Sequence, residues 1–153
     1  MLRLSKKSDY ALIAMKHLAL RGDRGSQASA SAREIAELYD IPIELMAKVL
    51  QRLVRRGLLV SQQGTRGGYQ LARMPALISV ADVIQAIDGP VTVTACSTDD
   101  GQCEQFSKCN VRDPLWRVRE RILTALGECT IAELAADPAI PVPARAAVFH
   151  THQ

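Results

Sequence analysis

IELMAKVLQRLVRRG (residues 43–57), running directly into LLVSQQGTRGGYQLAR (58–73), predicts a helix followed by a hairpin. In the first stretch Leu45, Val49 and Leu53, with Met46 and Leu50, recur every three or four residues and make one apolar stripe. That is the spacing of a helix with one buried face. Gly57 follows where a helix commonly ends in the left-handed conformation. In the second stretch Leu58 and Val60 on one arm, and Tyr69 and Leu71 on the other, are expected to form the buried side of a hairpin with a Gly-rich tip. A hairpin placed directly after such a helix is a wing.

Upstream, a turn over Tyr39–Pro42 separates this helix from SAREIAELYD (31–40). There Ser31 and Glu34 have capping-box spacing, and Ile35 and Leu38 supply a short buried side. GDRGSQASA (22–30) reads as a loop. Before it Ala11, Leu12, Met15, Leu18 and Ala19 mark another helix, with Ser5 or Ser8 available as its cap. Three helices and a hairpin in this order are a winged helix-turn-helix. Downstream, Ser79 and Asp82 open a helix over 79–88 with Val80, Val83, Ile84 and Ile87 inward and Gly89 as its stop. Asp113 and Pro114 are expected as N-cap and first residue of a long helix. Its stripe of Leu115, Val118, Ile122, Ala125 and Leu126 fits packing against a second copy of the chain. Thr130 and Glu133 cap a short last helix.

The fold class expected is therefore mainly α: a winged helix-turn-helix with a β-hairpin wing and a long C-terminal dimerisation helix. The chain divides into a DNA-binding unit (1–89), a cysteine loop (90–112), dimerisation helices (113–137) and a disordered, Pro/Ala-rich tail (138–153).

Of 153 residues, 48% are hydrophobic but only 4% aromatic, so the core should be aliphatic. Residues 1–73 carry 13 Lys/Arg against 6 Asp/Glu and residues 74–153 carry 6 against 10, so +7 and −4 make up the net +3. A basic half beside an acidic one points to a polyanion partner for the first. Lys16 and His17 interrupt the apolar run near the N-terminus, which argues against a signal peptide, and no stretch approaches the ~20 apolar residues of a membrane span. A cytoplasmic protein is expected, in which clustered cysteines more often bind metal or sense redox state than form structural disulfides.

Double-stranded DNA is the partner expected for the basic half. With the stripe turned inward, the third helix leaves Glu44, Lys48, Gln51, Arg52 and Arg55 on its other faces. Glu44 and Lys48, in its first half, are placed for base edges, and Arg52, Arg55 and Arg56 for phosphates. At the wing tip Gly64, Gly67 and Gly68 allow close backbone approach, and Arg66 is placed for a minor groove. A winged helix used for protein contacts is the alternative.

The second constellation is CSTDDGQCEQFSKC (96–109), in which Cys96, Cys103 and Cys109 are spaced C-x6-C-x5-C. Thiolates suit iron–sulfur clusters and zinc, but the close cysteine pair of a zinc knuckle is absent. Three cysteines leave a fourth ligand to another residue type. Cys129, just before the Thr130 cap, fits the role of a small packed residue. A cluster-free reading, in which Cys103 and Cys109 oxidise to a disulfide, is the alternative. No catalytic constellation is evident, and His17, His150 and His152 have no evident partners, so an enzyme is not expected.

RLSKKSDYAL, IAELYDIP, GTRGGYQLAR, ISVADVIQAIDG, the cysteine triplet and PLW together resemble the bacterial iron–sulfur-sensing winged-helix regulators of the IscR and NsrR kind. Within that group the chain is similar to the regulators of the SUF iron–sulfur assembly operon. The likeness runs from about Leu2 to Asp137. It implies a homodimer, a cluster ([2Fe-2S] or [4Fe-4S]) held by Cys96, Cys103 and Cys109, and control, read as repression, of cluster-assembly genes. Two departures bear on the fourth ligand. Arg112 stands where IscR-like members place a His, and the same slot counted back from Trp116 falls on Asp113. NsrR-like members ligate through an Asp of the first helix, which is Asp9 here, from the partner subunit. The resemblance therefore favours Asp9, with Asp113 as the alternative. Gln63 stands where IscR-like wings have an Arg, whose role Arg66 would take.

Overall fold

The computed structural model describes residues 3–22, 29–64, 67–92 and 103–136. In chain order the elements are α1 (Lys6–Gly22), α2 (Ala32–Leu38), α3 (Ile43–Arg55), β1 (Leu59–Gln62), β2 (Gly68–Leu71), a 3-10 turn (Pro75–Leu77), α4 (Val80–Asp88), α5 (Arg112–Glu128) and α6 (Ile131–Ala136). This is the winged helix-turn-helix expected, with the short 3-10 turn added. The core is aliphatic: Met15 and Leu18 of α1, Ile35 of α2, Met46, Leu50 and Leu53 of α3, and Val83 of α4 are all buried together. Ile131 of α6 is also fully buried in this core, so the last helix closes back onto α1 after α5 has left it.

Local signals account for most helix ends. The Ser79 hydroxyl accepts from Asp82 N at 3.0 Å while the Asp82 carboxylate accepts from Ser79 N at 3.0 Å, a complete capping box. Thr130 and Glu133 form the same reciprocal pair at 3.2 Å. Ser5 serves α1, its hydroxyl accepting from Ser8 N at 3.1 Å. Gly57 and Gly89 take φ of 76° and 78°, in the region that favours glycine, and stop α3 and α4.

Five expectations are corrected. Leu38, expected on the buried side of α2, is 62% exposed, and Ala36 is buried beside Ile35 instead. Ser31 caps α2 by accepting from Glu34 N at 3.1 Å, but the Glu34 carboxylate turns instead to Arg21, 2.6 Å away. The full charge of Arg21 outcompetes the Ser31 amide. In the hairpin, Leu59 pairs with Leu71 and Val60 with Gln70. Leu59 is buried beside Leu58, and Val60 is 41% exposed. The strand begins at Leu59, two residues after the Gly57 stop, and a one-residue phase change exchanges its faces. Helix α5 starts at Arg112 with Val111 at the N-cap and no side-chain cap, so Asp113 lies in its first turn and does not cap it. Finally, His17 has a partner: its Nδ1 lies 3.0 Å from the Tyr39 hydroxyl, with the rings edge to face. Burial, and then Arg21, lower its pKa against an opposing pull from Glu34, which suits a neutral ring shared with a phenol. His150, His152 and the tail from residue 138 lie outside the described residues.

Helix α5 is unlike the others in having no fully buried residue. Leu115, Ile122 and Leu126 of the expected stripe are half-buried, while Trp116 and Val118 are 48% and 42% exposed. Among the described residues, no helix is long and apolar enough to cross a membrane.

Candidate nucleic-acid interface and cysteine turn

Helix α3 buries Met46, Val49, Leu50 and Leu53, which rotates Glu44, Lys48, Gln51 and Arg55 to solvent. The four fall at positions 44, 48, 51 and 55, one continuous outward face of a helix. Arg52 differs. Its Nε donates to the Ala86 carbonyl at 2.9 Å, tying α3 to the last turn of α4. The bond leaves the outer nitrogens of the guanidinium for other partners.

Gly67 has a structural reason beyond access to a ligand. Its N–H donates to the Gly64 carbonyl at 2.9 Å. A Cβ at Gly67 would lie 2.5 Å from the Gln62 carbonyl oxygen and 2.8 Å from that of Gly64. Gly68 is crowded in the same way: a Cβ there would lie 2.6 Å from the Ala30 oxygen, where Ala30 and Tyr69 exchange backbone hydrogen bonds at 2.8 and 3.0 Å. Both overlaps are with backbone, which no rotamer change relieves. Gly67→Ala is expected to distort the wing tip at a cost of about 1–3 kcal/mol, lowering DNA affinity about tenfold with the helical core intact. Fluorescence anisotropy with a DNA duplex, beside a circular dichroism melt, checks this; unchanged affinity would remove the wing tip from the interface. Arg66 lies outside the described residues.

The second centre is the turn from Cys103 to Cys109. Phe106 N donates to Cys103 O and Lys108 N to Gln105 O, both at 3.0 Å. Cys103 and Cys109 are half-buried free thiols. Arg112 closes the turn: its guanidinium carbon lies 4.3 Å from the centre of the Phe106 ring, and its Nη1 donates to Phe106 O at 3.4 Å. The same side chain meets Asp113 through Nε at 3.3 Å. Asp113 is thus an exposed ion-pair partner, its side chain 80% accessible. Cys96 lies outside the described residues. Asp9 sits half-buried in the first turn of α1. No group of three His, Cys, Asp or Glu side chains among the described residues is arranged to hold a metal ion, so Cys103, Cys109, Asp9 and Asp113 are not gathered into one there. Cys129 stands apart at the α5–α6 joint, where burial, then Glu133 by charge and hydrogen bond, raise its thiol pKa. A raised pKa disfavours the thiolate, the form that binds a metal.

The roots of the two centres meet at the end of α4. Besides Arg52 on Ala86, Arg119 of α5 donates through Nε to the Val91 carbonyl at 3.1 Å. The Asp88 carboxylate accepts from Ser8 at 2.7 Å and from Ser5 at 2.7 and 2.8 Å. Sequence reasoning missed this junction, because nothing local marks Arg52, Arg119 or Ser8 as reaching α4.

Residues 4–137 match the model of the Rrf2 family, described as iron-dependent transcriptional regulators. The chain belongs to the Rrf2 family. This Rrf2 protein is 36% identical over 134 residues to the HTH-type transcriptional regulator IscR of Xenorhabdus nematophila, covering 87% of this chain and 79% of that one. The IscR of Yersinia pestis is 35% identical over the same length and coverage. Among solved structures it is similar to CymR, the global cysteine regulator of B. subtilis, with a TM-score of 0.71, 27% identity and coverage of 88% and 97%. T. potens IscR gives a TM-score of 0.66 at 28% identity, covering 87% and 85%. The two IscR relatives from Xenorhabdus and Yersinia are named transcriptional regulators, not enzymes, and DNA binding follows for the Rrf2 chain as a transcription regulator.

Proposed function

We propose that this Rrf2 protein is a homodimeric cytoplasmic repressor of iron–sulfur cluster assembly genes, whose grip on its operator depends on an iron–sulfur cluster. The observation that carries the reading is the pair of free thiols, Cys103 and Cys109, on one hydrogen-bonded turn just before α5, a helix with no fully buried residue. The IscR name borne by relatives supports the control of cluster assembly. The donor set fits such a group: two soft sulfur ligands on a preformed turn, a third cysteine seven positions earlier in the sequence, and no close pair of the zinc-knuckle kind. Cys96, Cys103 and Cys109 would hold it, with Asp9 of the partner subunit as fourth ligand and Asp113 as the alternative. Such a cluster supplies a redox- and iron-sensitive bond between its ligands.

The chain's own residues then do the coupling. Arg112, in the place of a neutral nitrogen ligand, braces the turn against Phe106 and cannot itself ligate. Arg119 connects α5 to Val91, and Arg52 connects the same end of α4 to α3. A change at the cysteines therefore reaches the recognition helix through two arginines and one short helix. In this reading residues 1–89 grip DNA, 90–112 carry the ligands and 113–137 join the subunits. Two recognition helices must match half-sites about 34 Å apart, so small changes in their spacing alter affinity.

Lys48→Ala is expected to relax specificity at one position of each half-site, costing about 1–3 kcal/mol there. Arg55→Ala is expected to lower affinity evenly across sequences and to flatten the salt dependence. Binding of duplexes selected from a random pool, measured over a range of salt, distinguishes the two. Wild-type behaviour of both variants would place the DNA surface elsewhere.

A further inference from the structure

We propose that the cleft between the start of α1 and the middle of α3 seats a DNA backbone phosphate, with Lys7 supplying a contact that the recognition helix alone does not provide. The inference rests on the DNA-binding reading and extends it to a helix outside the helix-turn-helix pair. The cleft has a volume of about 260 Å3 and is lined by Lys7 of α1, Leu45, Lys48, Val49 and Arg52 of α3, and Ile87 of α4. Three cations thus face one concavity with no carboxylate among its lining residues. Its floor is apolar, since Val49 and Ile87 are buried in the core. Among the described residues none of the three cations forms a salt bridge. Like charges gathered over a low-dielectric floor repel one another, and an anion between them relieves that repulsion.

The cleft is also held in shape. Arg52 is oriented by its Nε bond to Ala86, which leaves its outer nitrogens for an oxyanion. Lys7 precedes Ser8, which is fully buried and donates to Asp88 at 2.7 Å, so the first turn of α1 is pinned against α4. Pinning reduces the ordering cost of contact. An extended polyanion fits better than a small ion, because all three cations are exposed and Lys48 is shared with the outward face of α3. A duplex with its bases against Glu44 and Lys48 would lay a flanking phosphate over Lys7.

The test compares wild type, Lys7→Ala, Lys7→Arg and Arg55→Ala on a duplex selected by the protein from a random pool and on an unrelated duplex of equal length. Lys7→Ala is expected to weaken both duplexes by the same factor, about tenfold, and to reduce the slope of log K against log salt by about 0.9 for each phosphate that is no longer neutralised. Lys7→Arg should restore most of the affinity, and the melt should match wild type because Lys7 is exposed. An unchanged slope in Lys7→Ala, with a reduced one in Arg55→Ala, overturns the phosphate seat while the DNA-binding reading stands. Unchanged slopes in both overturn that reading as well. Inorganic phosphate titrated into the free protein provides the other arm: saturable binding abolished by Lys7→Ala, with DNA binding unaltered, would make the cleft a free-anion site and overturn the proposal.

Discussion

Cys103→Ser and Cys109→Ser are each expected to abolish the visible absorption of anaerobically purified protein, and Cys129→Ser to leave it intact. Cys103 and Cys109 lie on one turn held by two backbone bonds and by Arg112 on the Phe106 ring. Cys129 lies outside that turn, at the α5–α6 joint, where burial and Glu133 raise its thiol pKa. A serine hydroxyl is a harder and far less acidic ligand than a thiol, so one substitution in the triplet should suffice. Cys96→Ser is expected to behave as Cys103→Ser does. Asp9→Ala should alter the spectrum or the reduction potential without breaking the dimer. Asp113→Ala should leave the spectrum unchanged and alter stability by no more than about 0.5 kcal/mol, because its pair with Arg112 is exposed and it caps nothing. A spectrum changed by Asp113→Ala alone would transfer the ligand role to Asp113. Colourless wild-type protein in which Cys103 and Cys109 form a disulfide on oxidation would replace the cluster with a thiol switch.

Asp88→Ala should lower stability by about 2 kcal/mol, roughly 4–8 °C in melting temperature for a domain of this size. The carboxylate is the acceptor for Ser5 and for the fully buried Ser8. Removing it leaves the Ser8 hydroxyl without its charged partner inside the core, and that desolvated group sets the magnitude. Asp88→Asn keeps one acceptor oxygen and should lose about half as much. DNA affinity should fall along with stability, because the first turn of α1 is released from α4. A melting temperature for Asp88→Ala equal to wild type would show that the α1–α4 tie contributes nothing to stability.

Much of this molecule was legible in order along the chain. The α3 stripe, the reciprocal caps at Ser79 and Thr130 and the stops at Gly57 and Gly89 depend on residues within one or two turns of each other. Near-neighbour geometry and side-chain chemistry determine such features before any tertiary contact forms. The turn carrying Cys103 and Cys109 and the hairpin of the wing were also expected from spacing and composition. Other features depended on partners far away in sequence. Glu34 had a local amide to bond and took Arg21, thirteen residues away. Val60 alternates correctly for a strand, yet the phase of β1 is set by where α3 stops and by its pairing with β2. Asp113 beside Pro114 has the composition of a cap, but the helix starts two residues earlier, at Arg112, whose side chain is held on Phe106. The junction at Ala86, Asp88 and Val91 joins α1, α3 and α5 through side chains 28 to 83 residues distant. Sequence patterns report what a residue can do with its neighbours along the chain. Which of several acceptors an arginine or a hydroxyl takes is decided by packing, since only the folded core brings the stronger partner within reach and removes the competing water.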